Sequence, residues 1–239
     1  MVFDKIRTAF SFFLIATFLI LYTPFFIAIS IFPKKKLFKS KAFFFFGDIL
    51  YRVVVWCTFL RIKVIGKENI PKSSAIIAGN HQSSLDIPIM GSLIHRHPHA
   101  WMATSDLQKT YLQRLFVKAA IIVDVETPMK AMRSLLEAIK TISENKKLHL
   151  MIFPEGGRFT DGKIHDFFAG FAMLARKTGL PVVPVCMFGL NKAYPPKKFL
   201  IRRIPITVIV GKPFVIGEDE TDEEFKNRVH AWFVQQNQD

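Results

Sequence analysis

Two hydropathy patterns divide the chain. From Ala9 to Phe32 there are 24 residues without a charge, which at about 1.5 Å per residue matches the hydrocarbon thickness of a bilayer. A second apolar stretch, Ala42–Leu60, contains Phe43-Phe44-Phe45-Phe46 but also Asp48 and Arg52. It therefore reads as a helix lying in the membrane interface rather than a clean span. From Arg61 onward short Ile- and Val-rich runs alternate with longer amphipathic segments. The runs predict strands over Ile62–Ile65, Ala75–Ala78, Ala100–Thr104, Ala119–Val125, Leu148–Phe153, Val182–Met187 and Ile206–Val210. The amphipathic segments predict helices over Leu85–Ile94, Asp106–Val117, Met129–Ser143, Phe168–Thr178 and Asp222–Phe233. Thr221-x-x-Glu224 is a capping box for the last of these, and Gly179 suits the left-handed position that closes the one before it. Alternating strand–helix units predict an α/β fold, a largely parallel sheet flanked by helices, with an N-terminal hydrophobic helical membrane anchor. The boundary falls near residue 60, separating anchoring helices in 1–60 from an α/β domain in 61–239.

Composition sharpens the division. Thirty-three Lys and Arg against 19 Asp and Glu leave a formal charge of +14, yet half of the residues are hydrophobic, which excludes a charged disordered chain. Residues 1–60 hold 14 of the 25 phenylalanines. Lysines 34, 35, 36, 39 and 41 follow the long apolar run, and the positive-inside rule places that side in the cytoplasm. Lys5 and Arg7 at the other end argue against a strict single pass, and a hairpin dipping into one leaflet, bent at Pro24, fits the pattern equally well. A signal peptide has an apolar region of about 7–15 residues, shorter than this one. Two cysteines, Cys57 and Cys186, exclude a disulfide scaffold and any CxxC site. No aromatic RNA-binding motif or basic recognition helix appears, so the charge points to lipid or acidic substrates rather than nucleic acid.

Chemistry in α/β folds gathers where strands end and helices begin, and two such junctions are unusually polar. The first is Gly79-Asn80-His81-Gln82-Ser83-Ser84-Leu85-Asp86. On a turn entering a helix, Asp86 can fold back onto His81, fix its tautomer and leave the other ring nitrogen as a base. Ser83-x-x-Asp86 also reads as a capping box with Asp in place of Glu, which requires no catalysis. His95, His97 and His99 alternate as metal ligands on a strand would, but without a neighbouring carboxylate or thiol cluster they read as a solvated loop. The second junction is Phe153-Pro154-Glu155-Gly156-Gly157-Arg158-Phe159-Thr160. Its glycines permit close approach of an anion, and Arg158 can hold a phosphate through two parallel hydrogen bonds. Glu155 can orient Arg158 or tie the loop down.

Asn80-His81-x-x-x-x-Asp86 followed about 70 residues later by Phe153-Pro154-Glu155-Gly156-x-Arg158 resembles the glycerolipid acyltransferases, and within them the bacterial 1-acylglycerol-3-phosphate acyltransferases. Pro181-Val182-Val183-Pro184-Val185 is similar to the family's fourth motif, and the apolar N-terminus to its anchoring helices. The resemblance covers roughly residues 62–210. It implies acyl transfer from a thioester substrate, acyl-CoA or acyl-carrier protein, to a lysophospholipid hydroxyl at the cytoplasmic face of a membrane. No cofactor or metal is implied. His81 would be the general base and Asp86 its orienting partner. Glu155, Gly156, Gly157 and Arg158 would bind the acceptor phosphate. The chain departs from the family where a lysine usually stands near Thr104 and Ser105, and where Val125 replaces an arginine. Gly157 and Phe159 replace the usual Thr and Ser. Two alternatives therefore stay open: a lysolipid with another headgroup, such as a lyso-ornithine lipid, and a non-catalytic basic membrane-binding protein.

Overall fold

A computed structural model describes residues 2–104, 117–118, 120–124 and 126–237. Helix α1 (Val2–Ser30) and the short α2 (Lys34–Leu37) lead into α3 (Lys41–Cys57). Ser40 caps α3 by accepting a hydrogen bond from Phe43 N. The body follows as β1 (Ile62–Ile65), β2 (Ile76–Gly79), α4 (Asp86–Leu93), β3 (His99–Thr104), β4 (Ile121–Val123), α5 (Pro128–Glu144), β5 (His149–Ile152), α6 (Gly170–Thr178), β6 (Val182–Phe188), α7 (Leu190–Ala193), β7 (Ile206–Val210) and α8 (Asp222–Gln236). Seven strands form one sheet in the order β1-β7-β6-β2-β5-β3-β4. All neighbours are parallel except β6 and β7, which are antiparallel.

Alternate strand residues point to opposite faces of the sheet, and β2 shows it: Ile76 and Ala78 join one core with α6 and α8, while Ile77 joins a second with α4. Both faces are covered, which is why the central strands read as unbroken apolar runs. The helix ends follow their sequence signals. Thr221 and Glu224 form the reciprocal capping box of α8, Gly179 closes α6 at φ +67°, and Thr127 with Pro128 starts α5. The helix expected over Asp106–Val117 falls almost wholly outside the described residues.

Helix α3 is part of the body as well as of the N-terminal region. Phe44 is 2% exposed within the first core, and Val54 and Val55 pack against the second. Helix α1 runs unbroken through Pro24, so the hairpin bend expected there does not form, and it is long and apolar enough to cross a membrane over Phe3–Ala28, with little of its surface buried.

Candidate active site

Sheet register brings the two polar junctions together. β2 and β5 are parallel neighbours with Ala78 opposite Ile152. Three residues beyond each lie His81 and Glu155, and His81 N donates to Glu155 Oε1 at 3.0 Å. The other oxygen, Oε2, accepts from His165 N at 3.4 Å. Of the two roles open to Glu155, these contacts fit tying the loop down. On the opposite flank the Asn80 side chain bridges to β6, donating to Met187 O at 2.9 Å and accepting from Met187 N at 2.7 Å. His81 is thereby fixed at the crevice where β2 meets both neighbours, the usual ligand position in such sheets.

Asp86 is the first residue of α4 and is fully buried. Its Oδ2 lies 2.7 Å from His81 Nδ1 and accepts from Gln82 N at 2.6 Å and Ser83 N at 2.8 Å. One oxygen thus ties down the 82–83 turn and orients the imidazole; the cap position of α4 is Leu85, without a side-chain cap, so the capping box expected from Ser83 and Asp86 does not form. The second oxygen, Oδ1, is buried without a hydrogen-bond partner among the described residues. The imidazole lies flat on the Phe153 ring, with centroids 3.9 Å apart and planes 8° apart. Its outer nitrogen, Nε2, accepts from Arg158 Nε at 2.9 Å. With a carboxylate oxygen on one side and a guanidinium donor on the other, the tautomer is set: Nδ1 carries the proton and Nε2 the lone pair. A base, a cation and a stacked support therefore meet at one point.

Burial pushes the Glu155 carboxyl up to about 7, against the lowering effect of its two backbone N–H donors and of His165. The unfolded carboxyl titrates near 4.5. The folded state therefore holds a proton that the unfolded chain releases as pH rises between those values, and stability falls over that window. This group is expected to contribute a decline on the order of 3 kcal/mol. Urea unfolding at pH 5 and pH 8 should show that slope in the wild type and lose it in Glu155→Gln. An equal slope in both would remove Glu155 as its source.

The two glycines are not equivalent. Gly156 sits at φ +68°, and a Cβ there would lie 2.4 Å from the Phe168 ring. Gly157 has no such conformation, and a Cβ would meet the Phe159 ring at an ordinary 3.4 Å. Gly156→Ala is expected to cost about 1–3 kcal/mol and to displace Arg158. Gly157→Ala should be within about 0.5 kcal/mol of wild type. Thermal melts of the two variants check the contrast.

The reading of the three histidines as a solvated loop needs correction. His95 is exposed and binds Asp48, 3.1 Å away. His99, however, is buried at the start of β3, with Nε2 3.0 Å from the Tyr51 hydroxyl on α3. His97 stacks on the buried His149 at 4.0 Å. Burial pulls His99 down to about 4. Of the positions lacking the family's cations, Thr104 is exposed at the end of β3, while Ser105 and Val125 lie outside the described residues.

The description "Acyltransferase" belongs to the family model that matches residues 61–188, more than half of the chain and both polar junctions. The chain belongs to the Acyltransferase family. Relatives named 1-acyl-sn-glycerol-3-phosphate acyltransferase include one from Limnanthes douglasii, 31% identical over 192 residues, spanning 79% of this chain and 68% of the relative. One from Borreliella burgdorferi is 31% identical over 146 residues, spanning 60% and 57%. The crystal structure of the LPA acyltransferase PlsC from Thermotoga maritima superposes with a TM-score of 0.80 at 25% identity, covering 99% of this chain and 95% of that one. In this acyltransferase two residues at the site had no role assigned from sequence. Asn80 had a signal, since it immediately precedes His81 at the strand end. Phe153 opens the second motif, but a strand's terminal phenylalanine ordinarily reads as core, so its stacking on His81 is not legible there.

Proposed function

We propose that the protein transfers a fatty acyl group from acyl-CoA or acyl-carrier protein to the free hydroxyl of 1-acylglycerol-3-phosphate, giving phosphatidic acid. The observation that carries this reading is Arg158 seated on the outer nitrogen of an Asp-backed histidine. An acceptor phosphate draws the guanidinium away from Nε2, and the exposed lone pair then takes the proton of the attacking hydroxyl. The alkoxide oxygen forms a bond to the thioester carbonyl carbon. Collapse of that adduct breaks the C–S bond, and the imidazolium returns the proton to the departing sulfur. Asp86 stabilises the transient imidazolium. Glu155 and Gly156 shape the loop that presents Arg158, and Gly157 leaves backbone open to the phosphate. Deprotonation by the His81–Asp86 pair requires neither metal nor cofactor.

Arg158→Ala tests the acceptor assignment. A charge-assisted hydrogen bond contributes about 1.5–3 kcal/mol, so KM for lysophosphatidate is expected to rise roughly 10- to 150-fold with the donor KM unchanged. A rise confined to the donor would reassign Arg158. The missing cation at Thr104 favours one second reading, an acceptor with a different headgroup. Equal turnover of a phosphate-free lysolipid would support that reading.

The same proposal seats the enzyme on a membrane, at its cytoplasmic face. Both ends of α1 are tied to one body. Arg7 Nη2 donates to Ile201 O at 2.5 Å and Thr8 Oγ1 accepts from Ile201 N at 3.1 Å. Just beyond the other end, Lys34 and Lys35 pair with Glu137 and Glu144 of α5 at 2.7 and 3.6 Å. A helix about 43 Å long with both ends on one body lies along that body, which favours the one-leaflet arrangement over a crossing helix. Its outward side chains, Phe3, Ile6, Phe10, Phe13, Ile20 and Phe25, are exposed and form the apolar surface that enters lipid.

A further inference from the structure

The connection between β6 and β7 has no part in the chemistry above. From Lys192 to Pro205 it carries five cations, Lys192, Lys197, Lys198, Arg202 and Arg203, and no acidic residue. All five are exposed. Among them Phe199 stands 83% exposed, an aromatic ring that the fold leaves in solvent. The segment is nevertheless firmly held. Ile201 is buried and bonded to Thr8, Arg202 N donates to Ala193 O at 2.8 Å, and Tyr194 O accepts from Ser83 Oγ at 2.6 Å. This last contact places the segment two residues from His81.

Its tip forms a groove of about 450 Å³ lined by Lys5 of α1 together with Pro195, Lys198, Phe199, Leu200 and Arg202. Lys5 comes from the stretch of α1 that exposes Phe3, Ile6, Phe10 and Phe13. The groove is therefore continuous with the helix face assigned above to lipid. Cations bordering an apolar face, with an aromatic ring between them, are the chemistry of a bilayer's headgroup layer. An acidic protein would also satisfy the charge, but that continuity favours lipid.

We propose that this lip binds the headgroup of an anionic phospholipid, with the phosphate among Lys5, Lys198 and Arg202 and the Phe199 ring at the boundary between headgroups and acyl chains. The lip then holds the active-site crevice against the anionic part of the membrane. The proposal rests on the seating of α1 in lipid, so two probes separate the two ideas. Cys57 and Cys186 are buried, which allows an environment-sensitive fluorophore on Phe199→Cys or on Phe13→Cys to report its own position. The full chain is placed in nanodiscs of phosphatidylcholine alone or of phosphatidylcholine with phosphatidylglycerol.

A label at position 13 is expected to shift to the blue in both compositions, and one at position 199 only with phosphatidylglycerol. Adding Lys198→Gln and Arg202→Gln should raise the phosphatidylglycerol content needed for half the response about fivefold per cation removed. An identical response at 199 in both compositions would overturn headgroup recognition. Silence at 199 with a response at 13 would overturn the lip while leaving α1 seated. Silence at both would remove the seating and the lip together. A response at 199 to an acidic acyl-carrier protein in phosphatidylcholine discs alone would make the lip a protein dock and overturn the proposal.

Discussion

His81→Ala is expected to lower kcat for acyl transfer by about 10²–10⁴-fold, the usual contribution of a positioned general base. The fold should survive, because its ties to this residue run largely through backbone. His81 N donates to Glu155, and His81 O accepts from Phe159 N. The side chain contributes a stack on Phe153 and the hydrogen bond to Asp86, so a modest fall in melting temperature is expected beside the large loss of rate. The variant leaves Arg158 without its partner on Nε2, and acceptor KM should change much less than kcat. Single-turnover measurement of phosphatidic acid formation separates the two. Turnover at the wild-type rate in a folded His81→Ala protein would end the general-base mechanism.

Asp86→Asn is the second large effect, and it acts on rate and stability together. The amide oxygen can still accept from His81 Nδ1, Gln82 N and Ser83 N, so the turn is expected to form. The new NH₂ group falls where Oδ1 is buried without a partner. An unsatisfied buried donor costs about 1–3 kcal/mol. The neutral amide also fails to stabilise the imidazolium, which adds a fall in kcat of about 10²-fold or more. Chemical denaturation and kcat on one preparation test both parts. Lost stability with unchanged kcat would leave Asp86 as a structural tie of the 82–83 turn alone.

Sequence pattern and structure agree most closely where a residue's role depends on its neighbours in the chain. The strand cores, the Thr221–Glu224 box and the Gly179 cap are local, and each stands as read. Strand order is not local. Nothing in residues 79–86 or 153–160 states that β2 and β5 are adjacent, and that adjacency alone sets His81 against Glu155. The same limit explains His99. Its partner Tyr51 is 48 residues away on α3, so the triplet by itself suggests a solvated loop. Helix α1 runs from Val2, through Asp4, Lys5 and Arg7, because Arg7 and Thr8 find partners at Ile201. A hydropathy window sees only the charges. The short α2 and α7 carry too few residues for any period to show.

The most direct measurement gives purified wild-type protein, held in lipid, 1-acylglycerol-3-phosphate with acyl-CoA and, separately, with acyl-carrier protein, and follows phosphatidic acid by mass. At least one donor is expected to give phosphatidic acid, with one free thiol released per molecule formed. If neither thioester is consumed while the protein remains folded and lipid-bound, the His81–Asp86–Arg158 constellation is not an acyl-transfer site for this acceptor.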